Sequence, residues 1–155
     1  MCGIAGIINT NQNPYFSKMV SLMVRYLNHR GPDFQKIKNY SNATLGHSRL
    51  SIIDLDIRSS QPFEGASGRY SLVYNGEIYN YNQLKKELKK NYNFTTLSDT
   101  EVLLASYIIW GKNCLKKLNG MFAFCIYDNI KQKAFLARDR FGQKPLFYAL
   151  KKNTF

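Results

Sequence analysis

The residue with the most unusual chemical placement is Cys2, in the opening run Met1-Cys2-Gly3-Ile4-Ala5-Gly6. Removal of Met1 leaves a thiol and a free α-amino group on one residue. An α-amino group titrates at about 7.7–8.0, so a sizeable share is neutral near neutral pH. It can then serve, directly or through one water, as the general base for its own side chain, and no histidine is needed. Gly3 beside it lets a substrate or another strand come close. The bland alternative is a small buried hydrophobe on a first strand. Position alone does not separate the two.

An amide hydrolase also needs donors for an oxyanion. Asn75-Gly76 follows the alternating, strand-like stretch Tyr70–Tyr74 and carries a strong turn signal. A turn there would aim the Asn75 amide and the Gly76 N–H at one point, and losing one such donor costs about a hundred- to a thousandfold in rate. A plain hairpin turn is the simpler reading of the same pair. Two histidines offer a rival chemistry: His29 before the loop Arg30-Gly31-Pro32-Asp33, and His47 in Gly46-His47-Ser48-Arg49. A Cys–His pair stays open at this point, although no local signature of such hydrolases surrounds Cys2, Cys114 or Cys125. The last two sit among apolar or helical neighbours and read as structural. The chain has no Gly-rich phosphate loop and no recognisable metal-ligand spacing.

These candidates must be positioned by the surrounding elements. Residues 2–9 read as a buried strand, apolar at nearly every position. Pro14 can open a helix, and Phe16, Met19, Val20, Met23, Val24 and Leu27 recur at helical spacing up to about Leu27. Strands are expected near 35–40 and 44–53, followed by a loop through Ser59-Ser60-Gln61-Pro62. Leu84 and Leu88 among lysines predict an exposed helix. Asp99 to Trp110 predicts a buried one with Ser98 as N-cap, and a short basic helix follows at 114–118. Met121–Tyr127, Ala134–Arg138 and Leu146–Leu150 read as three strands joined by short turns. Helices among runs of neighbouring strands indicate an α+β fold with largely antiparallel sheets. There is no internal repeat, low-complexity segment or domain boundary.

Composition narrows the class. With 155 residues, 45% hydrophobic and 21% charged, the chain fits one soluble domain with a real core. It has no apolar run long enough to span a membrane, and its start lacks the features of a secretory signal. Three cysteines without CxxC spacing suit a reducing, cytoplasmic setting. The net charge of +12 comes as scattered pairs, Lys85-Lys86, Lys89-Lys90, Lys116-Lys117 and Lys151-Lys152. Without interleaved aromatics they indicate a solvated surface and no nucleic-acid partner.

Eight motifs then occur in order: Cys2-Gly3-Ile4-Ala5-Gly6, Arg30-Gly31-Pro32-Asp33, His47 to Asp54, Gln61-Pro62, Tyr74 to Asn80, Ser98 to Glu101, Gly120 to Phe124 and Arg138 to Leu146. Together they resemble the glutaminase domain of the class II glutamine amidotransferases over essentially the whole chain. Within that class the Arg-Leu-Ser-Ile-Ile-Asp and Tyr-Asn-Gly-Glu-Ile-Tyr-Asn strings are most similar to the N-terminal domain of glutamine-hydrolysing asparagine synthetase. The resemblance implies a four-layer αββα N-terminal-nucleophile hydrolase sandwich of mainly antiparallel sheets.

The same resemblance implies site residues. Cys2 is the nucleophile, and Asn75 and Gly76 form the oxyanion hole, which reverses the preference for a plain turn. Arg49 clamps the glutamine α-carboxylate, a bidentate task that suits a guanidinium. Asp99 receives the α-ammonium. Leu50, Ser51, Ile52, Ile53 and Glu77 complete the L-glutamine pocket, and no metal is involved. No cofactor is expected in this chain, since ATP and magnesium belong to a synthetase domain normally fused at the C-terminal side. Full-length relatives are expected to be homodimeric, without membrane or nucleic-acid partners. The synthetase pyrophosphate loop is absent, and the expected last strand is missing after Thr154-Phe155, so a domain incomplete at its C-terminal end, with an unpaired sheet edge, is the expectation. Two other functions stay open: a relative feeding ammonia to another acceptor, such as a surface sugar or peptide, and a non-catalytic glutamine-binding remnant.

Overall fold

Ala43–Arg49 is buried at every residue and forms the central strand, β3, of a three-stranded antiparallel sheet. It is flanked by β1 (Gly3–Ile8) and β2 (Phe34–Asn39), with Gly3 opposite Ser48 and Phe34 opposite Arg49. The structure, a computed structural model, describes residues 2–9, 13–65, 67–151 and 154–155. Met1 and Lys152, which figure in the sequence reading, lie outside the described residues.

Helix α1 (Pro14–Tyr26) starts with Pro14 in its first turn, and the Asn13 carbonyl oxygen of the side chain accepts the Tyr15 N–H at 2.9 Å. Its buried Val20 and Val24 lie on Gly46 of β3, where a Cβ would stand 2.5 Å from Val24 Cγ2. A glycine there is what lets the helix settle on the strand.

The second sheet runs β4 (Phe63–Glu64), β5 (Tyr70–Ile78), β6 (Gly120–Asp128) and β7 (Lys133–Arg138), all antiparallel neighbours. Helices α2 (Tyr81–Leu88) and α3 (Asp99–Trp110) cover its outer face. The α3 start is capped by Ser98 Oγ, which accepts the Glu101 N–H at 3.3 Å. Three apolar clusters give the layer order. Val20 and Val24 lie between α1 and the first sheet, Leu45, Val73 and Tyr127 between the sheets, and Leu72, Leu103 and Phe124 between the second sheet and its helices. The result is helix, sheet, sheet, helix, in an α+β fold with two antiparallel sheets.

Four local expectations are corrected. The expected strand 44–53 stops at Arg49, because the chain turns there to wrap Arg49. Asn75-Gly76 is no turn: β5 continues through both to Ile78. The glycine is required by β6, since a Cβ on Gly76 would lie 2.2 Å from the Met121 carbonyl oxygen. The α2 helix is exposed on one side only, with Leu84 and Leu88 fully inside. Residues 146–150 form no strand; their apolar residues lack a sheet neighbour, and Phe147 is 91% exposed. Thr154 and Phe155 instead bridge the outer edge of β1, where the Ile8 N–H donates to the Phe155 carbonyl at 2.7 Å. On its outer side β7 has no strand partner among the described residues.

Candidate active site

Arg49 ends β3 and gathers the following loop around its guanidinium. Nη1 donates to the Asp56 carbonyl at 3.0 Å and to Ser60 Oγ at 2.9 Å, and Nη2 donates to the Asp54 carbonyl. Of its five N–H groups, Nε–H and one on Nη2 make none of these bonds among the described residues and are left for a ligand. The loop is pinned from other sides too. Asp33 accepts the Ser51 N–H at 2.7 Å. Asp54 accepts from Ser59 Oγ at 2.7 Å and from the Leu97 N–H at 2.9 Å, which ties the loop to the approach to α3. Burial opposes ionisation of Asp54, but these donors outweigh it and hold the carboxyl below the usual range.

Cys2 stands just before β1, beside the start of that loop. The Leu50 N–H donates to its sulfur at 3.3 Å, and the thiol is 3.6 Å from the Leu50 carbonyl oxygen. Burial pushes the thiol pKa up, while the Leu50 N–H pulls the other way. The Arg30-Gly31-Pro32-Asp33 loop holds this corner. Arg30 Nε reaches the Cys2 carbonyl at 3.5 Å, and Ser48 Oγ donates to the Gly31 carbonyl at 2.7 Å.

The edge of β5 facing away from β6 supplies a row of N–H groups. Beyond Leu72 it has no strand beside it among the described residues, because β4 pairs only with Leu72 and Ser71. The Tyr74 N–H there donates to Gln61 Oε1 at 2.6 Å, and the Ile78 N–H donates to Asp99 Oδ2 at 3.1 Å. N–H direction alternates along an antiparallel strand. The Gly76 N–H therefore points the same way, between two donors that already have acceptors. Asp99, in the first turn of α3, also accepts from the Tyr74 hydroxyl at 2.8 Å. Burial raises its carboxyl pKa, and these two donors only partly offset that.

All of this surrounds one cavity of about 80 Å³. Cys2, Arg49, Gly76 and Asp99 line it, as do Glu77 and the stretch Leu50, Ser51, Ile52 and Ile53. Asn75 stands beside it, 6% exposed, with Oδ1 buried and without a hydrogen-bond partner among the described residues.

The chain matches the family model described as "Glutamine amidotransferase domain" over residues 1–155. It belongs to that family. It is 38% identical over 161 residues to asparagine synthetase [glutamine-hydrolyzing] 3 of Bacillus subtilis (strain 168), which covers all of this chain and 26% of the relative. It is 41% identical to asparagine synthetase [glutamine-hydrolyzing] 1 of the same organism, over 96% of this chain and 24% of the relative. With asparagine synthetase B [glutamine-hydrolyzing] of Escherichia coli (strain K12) it shares 39% identity, over 95% of this chain and 26% of the relative. The chain thus spans about a quarter of the length of these relatives.

Within this amidotransferase domain neither histidine pairs with a cysteine among the described residues. His29 is exposed, with Nδ1 at 3.0 Å from the Tyr26 carbonyl oxygen. His47 does line the cavity, but burial drives its pKa down to about 3, so it is neutral and a weak base. Cys114 and Cys125 are buried free thiols far along the chain from the site. Several wall residues carried no assigned role in the motifs: Tyr74, Gln61, Asp54 and Thr100. The β5 period of two was the available signal for Tyr74, since a polar tip on an inward-facing aromatic requires a partner.

Proposed function

We propose that this chain is the glutaminase part of a glutamine-hydrolysing asparagine synthetase. It would hydrolyse L-glutamine to glutamate and ammonia, with the ammonia used for ATP-dependent amidation of aspartate by a synthetase domain. The observation that carries the reading is that one cavity joins Cys2 to Arg49, Gly76 and Asp99. A thiol, a cation, a strand-edge donor and a carboxylate match the four features of a free amino acid with a side-chain amide. The names of the relatives support the choice of acceptor.

Arg49 pairs with the α-carboxylate through its two remaining N–H groups, and Asp99 with the α-ammonium. The freed α-amine of Cys2 takes the thiol proton as sulfur attacks the amide carbon. The oxyanion formed lies against the Gly76 N–H and the Asn75 amide. The C–N bond breaks, the proton passes to the leaving nitrogen and ammonia departs, leaving a γ-glutamyl thioester. Water, deprotonated by the same amine, cleaves the thioester to glutamate and the free thiol. These steps use no cofactor. With Met1 in place the Cys2 nitrogen is an amide and no base, so Met1 removal is part of the reading. Free thiols at Cys2, Cys114 and Cys125 fit a cytoplasmic setting.

The test is a glutaminase assay with N-terminal mass measurement. Protein lacking Met1 should release ammonia from L-glutamine, and Cys2→Ala should abolish release. Protein that lacks Met1, is folded and is silent toward glutamine would overturn the assignment.

A further inference from the structure

Asp99 has an asymmetric environment. The Tyr74 hydroxyl at 2.8 Å and the Ile78 N–H at 3.1 Å both fall on Oδ2. The Thr100 N–H of its own helix turn also favours the charged carboxylate, and neither Tyr74 nor Ile78 occupies Oδ1. Tyr74 itself is fixed on both sides. It is 3% exposed, its ring lies in the core beneath α3, and its N–H is held by Gln61, whose own Nε2 is 3.4 Å from Thr100 Oγ1 in the first turn of α3. Strand and helix are therefore locked together around one carboxylate.

We propose that Tyr74 is the positioning residue of the α-ammonium receptor: its hydroxyl anchors Oδ2 of Asp99 and so commits Oδ1 to the amino group of the substrate. This rests on the glutaminase reading above. Removing one donor from a buried carboxylate leaves it underbonded, and hydrogen bonds to charged groups are stronger than neutral ones. The carboxylate would then recruit a proton or rotate, and the amino group would lose its fixed acceptor. Apart from the Thr100 N–H of its own helix turn, the groups around Asp99 do not replace the hydroxyl. Glu77 on β5 repels it, Cys2 before β1 is a thiol, His47 on β3 is neutral, the remaining N–H groups of Arg49 serve the α-carboxylate, and Asp54 is anionic. Burial and the Asp99 charge raise the Tyr74 hydroxyl well above its ordinary value, so it stays a donor throughout the accessible pH range.

Tyr74→Phe keeps the ring in the core and removes only the hydroxyl. Two readouts decide. The first is the Asp99 titration followed by carboxyl-carbon NMR in the unliganded protein; it should move to higher pH in Tyr74→Phe. The second is selectivity between L-glutamine and its des-amino analogue 4-carbamoylbutanoate. With Tyr74→Phe, kcat/KM for glutamine should fall about tenfold, with kcat at saturation retained, while the analogue loses little. The acid limb for glutamine should shift upward in pH. Tyr92→Phe is the control, since its hydroxyl meets Glu101 Oε1 at 3.4 Å outside the cavity. It should leave both readouts unchanged. An unmoved Asp99 titration overturns the proposal, and so does an equal loss for both substrates. Wild-type protein silent toward glutamine defeats the glutaminase reading, and the titration then still decides the link between Tyr74 and Asp99.

Discussion

Asp99 and Asp139 expose equally little surface, 5% each, yet Asp99 lies much deeper and the two are opposites. Asp139, just past β7, accepts four backbone N–H groups: Phe122 and Lys144 on Oδ2, Phe141 and Gln143 on Oδ1, at 2.9–3.2 Å. Burial alone would raise its pKa, but those donors outweigh it and hold the carboxyl below its usual range. On Asp99 the Tyr74 hydroxyl and the Ile78 N–H both fall on Oδ2, and even with the Thr100 N–H they do not offset burial and the Glu77 charge, so its pKa is raised. A carboxylate with both oxygens saturated is a finished piece of architecture. One with a single oxygen satisfied is a receptor awaiting a cation.

The largest expected effect is the one that would break this contrast. Asp99→Asn removes the receptor charge with little change of shape, and kcat/KM for glutamine should fall about a thousandfold, as for loss of one partner in a buried ion pair. Stability should respond in the opposite sense. A raised folded pKa means that ionising Asp99 costs more in the folded chain than in the unfolded one, so its contribution worsens as pH rises through that value. At neutral pH the neutral Asn should therefore unfold no earlier than wild type in a thermal melt. A clear loss of Tm would make Asp99 structural and remove the contrast.

Much of this arrangement is legible in the sequence, and the exceptions have physical causes. Helices α1 and α3 follow from apolar residues, Pro14 and the Ser98 cap, because helical periodicity and end signals are local; the Asn13 cap appears only in the structure. Cys2, Arg49, Gly76 and Asp99 come together because the motifs of the family encode long-range geometry that no single window contains. Asn75-Gly76 misleads as a turn because the dipeptide is a local signal. The true demand for glycine comes from β6, paired alongside with its Met121 carbonyl where a Cβ would go. Residues 146–150 have strand-like composition, but pairing requires a neighbour, and composition does not report one. Tyr74 reads as another core aromatic until its hydroxyl is seen on Asp99, 25 residues away. Both aspartates lie in motifs, and it is the family resemblance, not their local sequence, that gives Asp99 the receptor role.

The second effect, smaller, sharpens the scaffold side. Asp139→Ala leaves four N–H groups to water or to nothing, which should cost about 2–3 kcal/mol and lower Tm by roughly 5–10 °C. KM for glutamine should stay near wild type in the folded fraction. The pH dependence follows from its lowered pKa: the stabilisation is present above the ordinary carboxylate range and is lost as pH falls below it. Melts of wild type and Asp139→Ala should therefore converge in acid. A gap that persists at low pH would mean that packing, and not the charge on Asp139, holds the turn.

The smallest effect concerns Asp128, at the end of β6, which tests whether saturation matters when the partner is a solvent-facing cation. Arg69 Nη2 donates to Asp128 Oδ2 at 2.7 Å and Nε reaches both oxygens at 3.1 Å, while the Ile130 and Lys131 N–H groups donate to Oδ1. These bonds, the arginine's first, bring the carboxyl down to about 2. Its contribution to stability is thus present above an unfolded value of about 3.9 and lost as pH falls toward 2. Yet the Arg69 side chain stays in contact with water, and pairs of that kind are screened and worth little. Asp128→Asn should lower Tm at neutral pH by about 2 °C, less than Asp139→Ala. The difference should shrink further in 1 M salt, where the Debye length is about 3 Å against about 10 Å at 0.1 M. If Asp128→Asn instead matched Asp139→Ala and ignored salt, the number of donors alone would set a carboxylate's structural weight, and the charge type of the donor would not matter.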